Sequence, residues 1–196
     1  MEIIILYLAL VVLVVLQTVA GVGILVIGTP LLLIKYSLVD ILSILLPLSI
    51  LTSLFNLFFF KSNKKKFRIK IEKKTKKYFF LICTPAIFFG LVLLKKFENL
   101  INFKILVSFI ILLSIFLKIK KKNLFNVQSN NLKKILVFFI GVIHGLTNAG
   151  GTLLSIFITS ISNNKKNQSR YSITYYYFFL ALFQYLMYLL IFKQSI

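Results

Sequence analysis

An apolar run from Ile135 to Ile161 is long enough to cross a bilayer, yet its middle reads GVIHGLTNAGGTLL, residues 141–154. It holds four of the chain's eight glycines, Gly141, Gly145, Gly150 and Gly151, and its one histidine, His144. Thr147, Asn148 and Thr152 stand among them. Clustered glycine weakens a helix, and amide, hydroxyl and imidazole groups need partners that hydrocarbon does not supply. Such a stretch lines a cavity, breaks a helix, or lets two helices pack very closely.

The rest of the chain has the character of an all-α polytopic membrane protein. Of its 196 residues 59% are hydrophobic, and its formal charge of +20 is carried by cations lying mainly between the apolar runs. That distribution fits lipid headgroups and a cytoplasmic bias, and it excludes nucleic acid as the partner. The acids are only Glu2, Asp40, Glu72 and Glu98, too few and too scattered for carboxylate-pair catalysis or a hard-metal cage. Cys83 is alone, so it forms no intramolecular disulfide. No nucleotide-binding loop is present, and one histidine supplies no metal-ligand set. The reading is a non-enzyme without cofactor or metal.

Six apolar runs follow one another. The first, Ile3 to Ile34, would form a straight helix about 48 Å long, against a hydrocarbon core of about 30 Å. Gly21, Gly23, Gly28 and Pro30 mark where it breaks. The second, Leu38 to Phe60, places Thr52 and Asn56 four residues apart, on one helix face. Residues 61–77 then bring ten cations, the strongest marker of a cytoplasmic loop. Runs three, four and six cover about Tyr78–Leu94, Leu100–Leu117 and Ile173–Phe192. If each run crosses once, there are about six transmembrane helices, both chain ends are cytoplasmic, and 17 of the 24 Lys and Arg face inward. Re-entry of run one or run five would move the N-terminus or the later loops.

Two segments repeat. Gly28-Thr29 aligns with Gly151-Thr152, and Leu54-Phe55-Asn56 aligns with Leu182-Phe183-Gln184, at offsets of 123 and 128. Two similar units each opening with a Gly-rich broken helix are the expectation, since such repeats meet at the middle of transporters. They divide the chain into a four-span unit 1–120, a basic loop 121–134 and a two-span unit 135–196. By analogy with the first unit, the second lacks about fifty residues. The face of the last helix that bears Gln184 then calls for a homodimer or another membrane protein as cover.

Gln17 followed by GVGILVIGTPLLLI, then LLPLSILTSLFN, resembles the first half of the sulfite exporter TauE/SafE family. GVIHGLTNAGGTLLS resembles the equivalent motif of its second half. The resemblance implies a multi-pass protein of the bacterial inner membrane, built from two similar halves, that carries sulfite, sulfonates or other small anions. Its motif residues are then Gln17, Gly21, Gly23, Gly28, Thr29 and Pro30 in half one, and Gly145, Asn148, Gly150, Gly151 and Thr152 in half two. Asn56, His144 and Thr147 complete the candidate substrate site. His144 and Asn148 share one face, and Gly141, Gly145 and Ala149 form a small-residue seam on another. A small anion is expected to rest on amide and hydroxyl donors and on helix N-terminal N–H groups, with Asn148 contributing more than His144. The expected activity is secondary transport, not driven by ATP; the competing reading is a non-transporting membrane scaffold.

Overall fold

The computed structural model describes residues 2–20, 24–62, 72–119, 129–161 and 166–192, and every element among them is helical. In chain order these are α1 (Glu2–Ala20), α2 (Ile24–Leu32), α3 (Leu38–Ser62), α4 (Lys73–Tyr78), α5 (Thr84–Phe97), α6 (Phe103–Ile119), α7 (Asn130–Thr147), α8 (Gly150–Ile161) and α9 (Lys166–Phe192). A π-helical turn, Phe79–Cys83, joins α4 to α5 without interrupting the rod. Among the described residues, three helices are long and apolar enough to cross a membrane: Leu38–Ser62, Lys73–Phe97 and Gln168–Phe192.

Run one folds back on itself. Leu13 of α1 lies against Gly28 of α2, while Gln17, further along α1, reaches the first amide of α2 at Ile24. Contacts that close in from both sides in this way make α1 and α2 antiparallel. The same residues fix the direction of α3. Leu45 adjoins Gly28, and Ser49 and Ser53 take hydrogen bonds from Gln17, so α3 runs parallel to α1. Both ends of the α1–α2 hairpin therefore lie at the face where α3 begins. Lys104, at the start of α6, meets the Ile34 carbonyl at this same face.

Run five folds back from the other face. A Cβ on Gly150 would touch His144 and the Ile140 carbonyl, so α8 retraces α7. Leu136 near the start of α7 lines one small cavity with Ile156 and Phe157 of α8. The start of α9 is on that face too. Tyr171 packs edge-on against Phe60 at the end of α3, and Lys76 of α4 lies over the Tyr175 ring. Only four residues separate Ile161 from Lys166. They reach at most about 18 Å, too short to cross a core of about 30 Å.

This geometry corrects the single-crossing arrangement. Runs one and five are hairpins, not spans: α2 returns beside α1, and α8 returns beside α7. The N-terminal end of α1 lies on the face opposite the 61–77 segment. The start of α9 lies on the same face as the end of α3, not across from it. In the sequence, the stretches 61–77, 118–134 and 162–172 between helix ends at that face hold ten, six and three cations, and the rest of the chain holds five. Phe67, Ile69 and Ile71, with residues 63–71, 120–128 and 162–165 of the basic segments, lie outside the described residues.

Helix α9 is the central post, with Tyr176, Tyr177, Leu180 and Ala181 almost fully buried. It runs alongside the rod of α4 and α5. Phe79 meets Tyr176 at a centroid distance of 4.7 Å, Phe80 meets Phe179 at 4.9 Å, and Lys95 donates to the Ile191 carbonyl. Gln184, expected on an uncovered face, is fully buried. At the cation-rich face Glu72 pairs with Lys133 of α7 at 3.1 Å. Burial raises the Glu72 carboxyl, but hydrogen bonds from Thr75 and Lys133 and the charges of Lys133 and Lys74 outweigh it. The carboxyl is held below its ordinary range.

Two outcomes follow from this arrangement. Cysteines placed at Ser62 and Asn163 should react with an impermeant thiol reagent from the same side of a vesicle, and one at Asn99 from the opposite side. Labelling of positions 62 and 163 from opposite sides would break the hairpin of run five. Because the Glu72 carboxyl is depressed in the folded protein, its contribution is present at neutral pH and lost as pH falls through the lowered value. Glu72→Gln should remove that acid-sensitive step. The effect should stay below about 1 kcal/mol, since the Glu72 side chain is 42% exposed and solvent screens the pair. Thermal unfolding against pH measures it.

Candidate functional site

The first break is closed by one side chain. Gln17 is fully buried, as are Ser49 and Ser53. Its Oε1 accepts the Ile24 N–H at 3.2 Å, which satisfies the first free amide of α2. Its Nε2 donates into a cup of α3 hydroxyls, with Thr52 Oγ1 at 2.7 Å and Ser53 Oγ at 2.9 Å. Asn56 reaches the Gln17 carbonyl from α3 at 3.5 Å. Gly21 and Gly23 lie outside the described residues.

The second break is sharper. Helix α7 stops at Thr147, and Asn148 takes a left-handed conformation with φ 63° while its N–H bonds the His144 carbonyl at 2.8 Å. Asparagine tolerates this region better than other side chains do. The chain then turns and α8 begins at Gly150. Only glycine fits there, because a Cβ would come within 2.5 Å of His144 Cβ. Residues 135–147 place Asn148 about 20 Å below the first apolar turn of α7, deep in the bundle.

The two breaks touch. Asn148 Nδ2 donates to Thr29 Oγ1 at 2.9 Å, a fully buried bond spanning 119 residues. Thr29 in turn donates to the Leu25 carbonyl one turn back. Around this bond Thr147 donates to the Ile143 carbonyl, and the Thr152 hydroxyl pairs with Ser114 of α6 at 2.9 Å. Gln184 of α9 donates to the His144 carbonyl at 3.1 Å. Both ring nitrogens of His144, Asn148 Oδ1 and Gln184 Oε1 are buried without a hydrogen-bond partner.

The model of the sulfite exporter TauE/SafE family matches residues 5–195, nearly the whole chain. The chain belongs to that family. Comparison with curated proteins and with solved structures gives no match. The family is one of membrane transporters of the sulfite-exporter type, and the broken, glycine-bearing helices are the part of this TauE/SafE chain where polar groups concentrate within the apolar bundle.

Of the residues expected at the site, Thr29, His144, Thr147, Asn148, Gly150, Gly151 and Thr152 gather at the second break and the helix beside it. Gln17 and Asn56 form the separate knot at the first. Gly28 lies between, where a Cβ would meet only movable methyl groups of Leu13 and Leu45 at 3.0 Å. Gly145 does not face the site. It belongs with Gly141 to the expected seam, and the helix it admits is α5. A Cβ on Gly145 would lie 2.2 Å from the Ile87 carbonyl, and one on Gly90 of α5 would lie 2.4 Å from the Val142 carbonyl. Sequence reading missed Gly90, although Ala86 four residues before it gives the same small-residue spacing as Gly141 and Gly145. It treated Gln184 through its match to Asn56 and as part of an uncovered face, not as a partner of the second break.

The seam is therefore backbone against backbone in this TauE/SafE chain. Gly145→Ala should lower stability by about 1–3 kcal/mol, the cost of overpacking where no flexible side chain can yield. Gly28→Ala should cost clearly less. Thermal unfolding in detergent tests the pair, and equal losses would refute a backbone-packed seam.

Proposed function

We propose that this protein is a secondary carrier of small anions, of the sulfite and sulfonate class, and that the anion binds where the two hairpins touch. The bond between Asn148 and Thr29 carries this reading, because it joins residues of the two broken helices inside an apolar bundle. The anion rests on the N-terminal amides of α8 at Gly150 and Gly151, where the helix dipole favours negative charge, while Thr29 and Thr147 give their hydroxyl protons to the Leu25 and Ile143 carbonyls and shape the place. Asn148 acts chiefly as a hinge between the hairpins, since one of its donors is already engaged. Gln17 holds the first break closed and contacts the anion only if that knot opens. In this proposal α1–α3 and α7–α9 are the inverted units, entering from opposite faces, and α4–α6 link them. The cation-rich face is cytoplasmic in a bacterial inner membrane, by the nineteen-to-five bias. With Gln184 covered, a homodimer would form through outer apolar surfaces alone.

The test is uptake of labelled sulfite into proteoliposomes. Thr29→Val removes the hydroxyl at nearly constant shape, and Asn148→Gly keeps the left-handed backbone while deleting the side chain. Each should lower the rate about tenfold at equal protein, the effect of losing about 1.4 kcal/mol from one buried hydrogen bond. Wild-type protein that moves neither sulfite nor a small sulfonate would favour the scaffold reading. Normal rates in both variants would reduce the bond to packing.

A further inference from the structure

Two side-chain amides at the second break have their orientation fixed by chemistry. Thr29 Oγ1 gives its only proton to the Leu25 carbonyl, so it can only accept, and the group facing it must be the Asn148 NH₂. Gln184 faces the His144 carbonyl, which can only accept, so its NH₂ lies there. That leaves Asn148 Oδ1 and Gln184 Oε1 as the unpaired oxygens of the break, both on fully buried side chains, beside the unpaired ring nitrogens of His144. The two residues are held together, since the His144 carbonyl accepts both the Asn148 N–H and the Gln184 NH₂.

An unprotonated oxyanion brings only acceptors and would be repelled by these oxygens. What they lack is a positive partner. Helix α7 ends at this point, and its last carbonyls add the negative end of its dipole. No carboxylate is near. Glu2, Asp40, Glu72 and Glu98 all lie at helix ends on the two faces. A divalent ion stripped of water would need such carboxylates; a monovalent ion can be held by neutral carbonyl oxygens. The first break offers no such place, because the Gln17 amide is paired at both its oxygen and its nitrogen.

We infer that the second break binds a monovalent cation of the sodium class through Asn148 Oδ1, Gln184 Oε1 and the terminal carbonyls of α7. Its role as a coupling ion rests on the anion-carrier reading; the site itself does not. A cation here and an anion at the start of α8 would neutralise each other in the bundle, and the two would travel together.

The experiment is thermal unfolding of the purified chain in detergent, without substrate, as NaCl replaces choline chloride at constant ionic strength. A saturable rise in Tm with NaCl is expected. Gln184→Leu removes one oxygen and should raise the half-saturating NaCl concentration at least tenfold. Gln184→Glu keeps an oxygen and adds a charge, and should lower it at least threefold, which keeps the test open if the leucine variant folds poorly. Equal Tm in the two salts overturns the site, as does a sodium response unchanged in both variants. A Tm that follows pH but not sodium also overturns it, and assigns the oxygens to a protonated ligand. Sodium stabilisation without sulfite flux would sink the carrier reading and leave the cation site standing; sulfite flux with no sodium response would do the reverse.

Discussion

A helix that stops inside a bilayer leaves backbone amides and carbonyls with no water to bond them. Most of the polar architecture of this protein answers that one constraint. Among the described residues it has two such stops, and at each an amide side chain from a crossing helix donates to a backbone carbonyl beside the break. At the first, Gln17 bonds the opening amide of α2, and Asn56 of α3 bonds the Gln17 carbonyl. At the second, Asn148 turns the chain, and Gln184 of α9 bonds the His144 carbonyl. Asn56 and Gln184, which the sequence match pairs, each donate to a backbone carbonyl beside a break.

The halves then diverge. Shifting Ser49, Thr52 and Ser53 by the repeat offset of 128 gives Tyr177, Leu180 and Ala181. The hydroxyl cup that satisfies Gln17 has become an aromatic and aliphatic wall. His144, beside that wall, has its ring 6.5 Å from the Tyr177 ring and finds no hydrogen bond. Among the described residues the Gln17 amide is paired at its oxygen and its nitrogen, while the second break keeps unpaired polarity in its centre. Unpaired buried groups cost stability, so their concentration at the second break accords with the ligand proposed there.

The helical membrane class was legible from apolar run length, and the break in run five from the coincidence of Asn148 with Gly150 and Gly151. The close-packed seam was legible from Gly141 and Gly145, four apart. The direction of the chain after each break was not. Hydrophobicity records that a segment is buried and not which face it leaves by, so run five counts equally as one crossing or one hairpin. The deciding facts are tertiary: the shortness of the link before Lys166 and the contact of Tyr171 with Phe60. The partner of Asn148 was not legible for a similar reason. Two donors were countable from the residue type, but that one is engaged by Thr29 is visible only across 119 residues of chain.

The π-helical turn at Phe79–Cys83 sets a phase. A turn of this kind carries one residue more than an α-helix needs, so everything after it is rotated by about 100° relative to everything before. Glu72, which greets Lys133, lies before it, and Gly90, which admits Gly145, lies after it. Both contacts are with the same helix, α7. Removing one residue from the turn would let α4 and α5 run as a single regular helix, but would leave either the charge or the glycine facing the wrong way. The inserted residue acts as a vernier, and the bundle can keep its ion pair and its closest helix contact together only because that small misfit is retained.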